Sequence, residues 1–281
     1  MPEIAFVNGK WSALSEAVVS IEDRGFQFGD GVYEVIRTYG KALFGLAEHL
    51  KRLEISAGEL DIALPDSPAG ISGMIREGCE KSGFEDVLIY VQLTRGRAPR
   101  NHAYPIPPRP TWVMTFRETK KIAPETRAKG VSVISVEDLR WALCHVKSLN
   151  LLPNVMAREA AFRAEAFEAI FVRDGKVLEG AASNLFTVFN NSVVTPPKGP
   201  YLLSGVTREI LLSVGAEKGL EMRESDLELE DLYTADEIFL TGTTIEVLPV
   251  VRLNGMPVGY GRPGKTAQIL YEAFQEYVQK Q

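Results

Sequence analysis

Four groups of residues in this 281-residue chain have the types and spacing to do chemistry: a lysine, a glutamate, a pair of small-residue runs taken together and a basic loop. Lys147 closes the run Trp141-Ala-Leu-Cys-His-Val-Lys147, whose apolar content predicts a strand. An amine held partly out of water at such an edge can attack a carbonyl, which is the opening requirement of Schiff-base chemistry. Strand alternation places Lys147 and His145 on one face and Val146 on the other. Residue type alone favours a solvated lysine at a strand end, because ionised lysines are seldom buried.

Anion binding is the second theme. Leu203-Ser-Gly-Val-Thr-Arg208 puts Gly205, Val206 and Thr207 at a predicted helix start, where backbone N–H groups and a hydroxyl can hold a phosphate. Thr241-Gly-Thr-Thr244, with Thr243 at its centre, is a nest of small residues after a strand. Arg52 can supply positive charge. Thr207 as a simple helix cap and Arg52 on a wet helix face remain the alternatives. Glu179, followed by Gly180-Ala-Ala-Ser-Asn184, can hold a protonated ring nitrogen or stand as an exposed strand-end charge. Arg95, Arg97, Arg100 and His102, with Tyr33, offer a guanidinium fork and directional donors suited to a carboxylate. Their alternative is a solvated basic loop.

These residues must be positioned by elements whose signals run along the chain. Asn8-Gly9 marks a hairpin turn after a short strand, with a second strand expected near Val18–Ile21. Val32–Thr38 reads as a strand, Leu46–Leu60 as a helix carrying His49 and Arg52 on one face, and Ser67-Pro68 as the cap of another helix. Val87–Thr94 and Thr111–Phe116 are strand-like. The Pro-rich stretch Arg95–Pro110 between them is a loop.

Pro124–Gly130 is the expected linker. Beyond it follow strands at Val131–Val136 and Trp141–Lys147, a helix at Val155–Ala166, and a hairpin at Ala169–Glu179 turning on Asp174-Gly175. Strands near Leu185 and Val193, a helix at Thr207–Lys218, a strand at Glu237–Thr241, a turn at Asn254-Gly255 and a helix at Gly264–Val278 complete the pattern. Helices interrupt strands without a βα rhythm, so an α+β chain is expected. Its smaller α/β domain is placed at 1–122, a linker at 123–130 and a larger domain at 131–281.

Bulk properties narrow the function classes. A formal charge of -6 gives no electrostatic reason to bind nucleic acid or anionic membrane. The two cysteines, Cys79 and Cys144, lack disulfide-framework or zinc spacing and read as reduced core residues. No secretory leader or membrane-length apolar segment is evident, so a cytoplasmic protein with small-molecule partners is expected.

Taken together, the motifs Asp23-Arg-Gly-Phe-Gln-Phe-Gly-Asp-Gly-Val-Tyr-Glu-Val35, Thr94-Arg-Gly-Arg-Ala-Pro-Arg-Asn-His102, Lys147-Ser-Leu-Asn-Leu-Leu-Pro-Asn154 and Glu179-Gly-Ala-Ala-Ser-Asn184 resemble the fold-type IV pyridoxal-phosphate enzymes, and within them the bacterial D-amino-acid aminotransferases. The resemblance covers about Asn8 to Pro249. It implies a two-domain fold with mixed sheets, flanking helices and the cofactor at the domain interface. Lys147 would carry pyridoxal 5'-phosphate and Glu179 would partner its ring nitrogen.

Arg52, Val206, Thr207 and Thr243 match phosphate-binding positions, and Leu203 a residue packed on the ring. Tyr33, Arg100 and His102 match the carboxylate trap, with Arg100 and His102 reaching across a homodimer. The implied reaction is transamination between a D-amino acid such as D-alanine and a 2-oxo acid such as 2-oxoglutarate. An L-specific branched-chain aminotransferase or aminodeoxychorismate lyase on the same scaffold, and a non-catalytic phosphate- or protein-binding module, are the rivals. Ala181 and Ala182 stand where relatives often carry serines, and His145 where an acidic residue is expected.

Overall fold

Two residues, Asn8 and Gly9, both at positive φ, turn the chain so tightly that Val7 pairs with Lys10. In the computed structural model, which describes residues 3–280, this turn joins β1 (Ile4–Val7) to β2 (Lys10–Ala13). The return strand therefore begins at once, and Val18–Ile21, expected as the second strand, is irregular; Val18 and Ile21 are about four-fifths exposed. The chain continues through α1 (Arg24–Phe28), β3 (Gly31–Tyr39), β4 (Ala42–Leu43), α2 (Leu46–Glu59), α3 (Pro68–Ser82), β5 (Val87–Thr94) and β6 (Thr111–Glu118).

These elements form the first of two compact units, which runs to Lys120 and also takes in Val146–Asn150. Its six strands are ordered β2-β1-β6-β5-β3-β4 and every pairing is antiparallel. Alternation along β3 and β5 turns Val32, Ile36, Ile89 and Val91 into a core with Leu53 of α2, Ile71 and Ile75 of α3, and Phe116 of β6. Ser67 caps α3 by accepting from the Gly70 N–H. The segment after Val146 is held to β3 by backbone bonds: the Tyr33 N–H donates to the Lys147 carbonyl and the Leu149 N–H to the Gly31 carbonyl, each at 2.9 Å.

The second unit comprises Lys121–His145 and Leu151–Lys280. The stretch expected as a linker is regular here. Pro124 occupies the first turn of α4 (Pro124–Lys129), for which its fixed φ is suited. Then come β7 (Val131–Glu137), α5 (Leu152–Arg163), β8 (Glu168–Arg173), β9 (Lys176–Gly180), β10 (Asn184–Phe189), β11 (Ser192–Thr195), α6 (Val206–Glu217), β12 (Glu221–Glu224), α7 (Leu229–Leu232), β13 (Glu237–Gly242), β14 (Glu246–Leu253), β15 (Met256–Pro257) and α8 (Lys265–Gln279). The sheet order is β12-β11-β10-β13-β14-β7-β8-β9, with β15 paired to β14. This sheet is mixed, because β11 with β12, β14 with β7, and β7 with β8 run parallel. Its core includes Leu185, Ile238, Leu240 and Leu248, and Phe186 stacks on Phe239 at 5.2 Å.

Trp141–Lys147, expected as a strand, enters no sheet. The Cys144 and His145 N–H groups both turn to the Pro200 carbonyl, and Ser148 closes a tight turn onto Val146. With two of its donors spent on a loop carbonyl and the Lys147 N–H on a side chain, the segment has no ladder. Among the described residues no helix is long and apolar enough to cross a membrane.

Candidate active site

Lys147 owes its position to single backbone bonds instead of strand alternation. Its carbonyl accepts from Tyr33, and its own N–H donates to Ser56 Oγ at 3.1 Å from α2. The half-buried side chain places Nζ 4.3 Å from the centroid of the Tyr33 ring, which stacks in turn on Tyr90.

Beside it, β3 carries a carboxylate on its core face. Glu34 is fully buried, accepting from Arg52 Nε on one oxygen and from Arg52 Nη2 and His49 Nδ1 on the other, at 2.7–2.8 Å. Burial works to raise the Glu34 pKa; the charge and hydrogen bond of Arg52, aided by His49, win and hold it at about 2. His49 is shifted by a different balance. Its burial lowers the pKa, Glu34 opposes that, and the positive charges of Arg52 and Lys147 add to the lowering. Arg52 is thus not on a wet helix face: Glu34 fixes its guanidinium.

In the second unit, Glu179 is the penultimate residue of β9 and is buried. Its Oε1 pairs with Arg140 Nη1 at 2.5 Å, and Oε2 accepts from Asn184 Nδ2 at 3.2 Å and the Leu203 N–H at 3.1 Å. The alternative of an exposed strand-end charge is excluded. Arg140 is itself held by Asp138 through Nε at 2.8 Å and Nη2 at 3.1 Å, and Asp138 also binds Arg173 at 3.0 Å. Burial works against the charge on Arg140, but Asp138 and Glu179 together raise its pKa. The result is a buried chain of alternating charge ending on Glu179.

The same Asn184 donates to the Leu203 carbonyl at 2.9 Å, so one side chain ties Glu179 to the segment entering α6. Gly205 is the N-cap of α6 and provides no side-chain cap; a Cβ there would strike Asn184 Oδ1. Thr207 lies inside the first turn, nearly fully buried beside buried Val206, so it is not the capping residue. Thr243 sits in the turn between β13 and β14, next to Thr241, whose Oγ1 is buried without a hydrogen-bond partner. A glycine N-cap, a buried first-turn hydroxyl and an orphaned hydroxyl beside a small-residue turn are donors, and with a fixed carboxylate as acceptor they fit a phosphate-bearing cofactor with a basic ring nitrogen.

The basic loop divides by function. Arg95 is buried, donating to Asp30 and to the Leu60 and Asp61 carbonyls, so it holds structure and is no part of a carboxylate trap. Arg97 makes an exposed pair with Glu22. Arg100 and His102 do come together, both against Phe28 of α1: the guanidinium lies 4.6 Å and the imidazole 5.5 Å from its ring centroid. The ring contacts of Tyr33 are instead with Lys147 and Tyr90. Burial pushes both thiols up to about 11, Cys79 and Cys144 alike, which keeps them protonated.

Asp138, Arg140, Glu34 and His49 escape a reading by residue type. Glu34 left one signal, since it shares the face of β3 that carries Val32 and Ile36. A carboxylate in phase with core residues demands a buried cation.

The model of class IV amino-transferases matches residues 31–253, and the chain belongs to that family. The D-alanine aminotransferase of Bacillus licheniformis is 43% identical over 274 residues, spanning 96% of this chain and 95% of the relative. That of Staphylococcus haemolyticus is 38% identical, spanning 98% and 97%. Among solved structures, the branched-chain amino acid aminotransferase of Escherichia coli superposes with a TM-score of 0.90 at 26% identity, covering 98% of this chain and 94% of the other. A T.th. branched-chain amino acid aminotransferase with pyridoxamine 5'-phosphate gives 0.91 at 27%, covering 98% and 93%.

Proposed function

We propose that this protein is a pyridoxal 5'-phosphate-dependent aminotransferase that moves the amino group of a D-amino acid such as D-alanine to a 2-oxo acid such as 2-oxoglutarate. The observation that carries the reading is the fixation of Glu179: a buried carboxylate clamped by Arg140, Asn184 and Leu203 is built to hold one proton on a basic ring nitrogen. Identity of 43% to a D-alanine aminotransferase, against 27% to a branched-chain enzyme of similar fold, favours the D side.

When bound, pyridoxal phosphate supplies the electron sink that makes the Cα hydrogen of an amino acid removable. Lys147 Nζ would be the amine that anchors the aldehyde, and would serve as the general base and acid that moves the proton away from Cα. Glu179 keeps the ring nitrogen protonated. By the family resemblance, Arg52, Val206, Thr207 and Thr243 would hold the phosphate and Leu203 would pack on the ring. Arg100, His102 and Tyr33 receive the α-carboxylate, and the side from which they hold it decides which enantiomer turns its hydrogen toward Lys147.

The working form in this proposal is a cytoplasmic homodimer in which Arg100 and His102 serve the partner's site. Its support is α5, which leaves Leu152, Val155, Met156 and Phe162 exposed, more apolar surface than a lone helix face normally shows to water.

An enantiomer-resolved assay with D- and L-alanine and 2-oxoglutarate tests the reading. Expected is visible absorbance of the purified protein that bleaches with D-alanine, with turnover of that enantiomer. Turnover of L-branched-chain substrates in its place would select the rival aminotransferase, and a protein that takes up no cofactor would select the binding module.

A further inference from the structure

We propose that Arg24 and Phe28 of α1 are positioning residues for substrate recognition: they hold the exposed loop so that Arg100 and His102 present a fixed carboxylate receptor. The inference rests on the proposed role of Arg100 and His102 and adds the device that sets their geometry. Residues Arg100–Tyr104 are all exposed, yet the guanidinium that ties them down belongs to a residue only 3% exposed.

Arg24 donates from Nη1 to the Asn101 carbonyl and, at 3.3 Å, to the Ala103 carbonyl, and from Nη2 to the His102 carbonyl at 3.3 Å. Three successive carbonyls thus close on one planar donor fork, whose rigidity a lysine could not reproduce. Its Nε is held by Asp30 at 2.7 Å, and the same carboxylate takes Arg95 at 2.9 Å. Asp30 therefore fixes both the tip of the loop, through Arg24, and its first residue.

The platform beneath is equally fixed. Asp23 accepts from the Gly25 N–H at 2.8 Å and from Thr94 Oγ1 at 3.0 Å, seating α1 on the end of β5. From that helix Phe28 offers one ring to three side chains: the Arg24 guanidinium at 5.0 Å, the Arg100 guanidinium at 4.6 Å and the His102 imidazole at 5.5 Å. The base of the loop is stitched separately, by Arg24 N–H to the Gly96 carbonyl at 2.9 Å and Ala98 N–H to the Glu22 carbonyl at 3.2 Å. The base is thus held by backbone bonds and by the Arg95–Asp30 pair, whereas the tip is seated on the side chains of Arg24 and Phe28, with Arg95 also lying over the Tyr104 ring at 3.4 Å. A receptor held this way loses little freedom on binding, so its loosening should weaken substrate capture more than it slows turnover.

The test uses the holoenzyme with Arg24→Met, which keeps the buried stem and leaves Asp30 paired with Arg95, and Phe28→Leu, which changes no charge. We expect at least a tenfold rise in KM for D-alanine in Arg24→Met and a smaller rise in Phe28→Leu, with kcat within threefold and cofactor absorbance unchanged. Amide exchange of residues 100–104 and tryptic cleavage after Arg100 should both accelerate. KM within twofold of wild type in both variants would overturn the inference, whether or not exchange changes. A wild-type protein that does not transaminate D-alanine would instead overturn the functional reading on which the inference rests.

Discussion

Glu34 grips Arg52 with both carboxylate oxygens, and does so in full burial while sharing one of them with His49. The arrangement turns an arginine with many rotamers into a fixed cation. It also stores a proton-linked part of the stability in two side chains whose pKa values are displaced in the same downward direction.

The pH dependence follows from those directions. A carboxylate lowered from 4.5 to about 2 contributes stability that is complete above pH 4.5 and is lost as the pH falls toward 2, on the order of 3 kcal/mol. His49, lowered from 6.5, is bound neutral in the native state, so the unfolded imidazole takes its proton first and stability begins to fall below pH 6.5. Urea midpoints measured from pH 8 to pH 3 should decline in these two windows. In Glu34→Gln the decline below pH 4.5 should flatten, on a protein already less stable by about 3 kcal/mol because Arg52 has lost its partner.

Lys147→Ala should separate chemistry from fold. Both bonds that place the residue are made by its backbone, to Tyr33 and to Ser56, and survive the substitution. Thermal unfolding should therefore stay close to wild type, while D-alanine turnover falls by at least ~10³-fold, as the proposed role of Lys147 as both nucleophile and proton carrier requires. Single-turnover kinetics with added methylamine would show how much of the loss a diffusing amine restores.

Arg140→Met should act on Glu179. Asp138 keeps Arg173, and Glu179 keeps the Asn184 and Leu203 donors but loses the guanidinium paired with its Oε1. Loss of a partner in a buried network costs about 3 kcal/mol. The expected phenotype is weaker cofactor retention on dialysis and an altered visible spectrum, with KM for D-alanine nearly unchanged. A spectrum and cofactor affinity identical to wild type would remove Arg140 from this role.

The contrast between residues legible in sequence and those that were not has a physical basis. Local signals gave the hairpins at Asn8-Gly9, Asp174-Gly175 and Asn254-Gly255, where positive φ at both turn residues leaves few side chains suitable. The Ser67-Pro68 start of α3 is read the same way. Trp141–Lys147 misled because apolar content is only permissive for a strand: the choice of the Pro200 carbonyl over a ladder is made some 55 residues away. Arg95 and Arg100 look alike five positions apart, and only the fold sends one inward to Asp30 and leaves the other outside against Phe28. Asp138 and Arg140 were invisible for the same reason, since Arg173, which pairs with the first, and Glu179, which pairs with the second, are remote in sequence.

Two glycines allow the base of the basic loop to be tested against an internal reference. Gly9 and Gly96 share a φ of +92°, a conformation that L residues adopt only with strain. A Cβ on Gly9 meets nothing within 4 Å, whereas one on Gly96 would fall on the Arg109 carbonyl oxygen, its partner across the loop. Gly9→Ala should therefore cost only the backbone term, about 1–2 kcal/mol, with kinetics unchanged. Gly96→Ala must bear that term and also part Gly96 from Arg109, next to the Gly96 carbonyl that receives the Arg24 N–H. It should be the less stable of the two by denaturant unfolding and should raise KM for D-alanine, because moving the base of the loop moves Arg100 and His102. Equal stabilities with equal KM values would mean that the strand-like closure at Gly96 yields without disturbing what it supports.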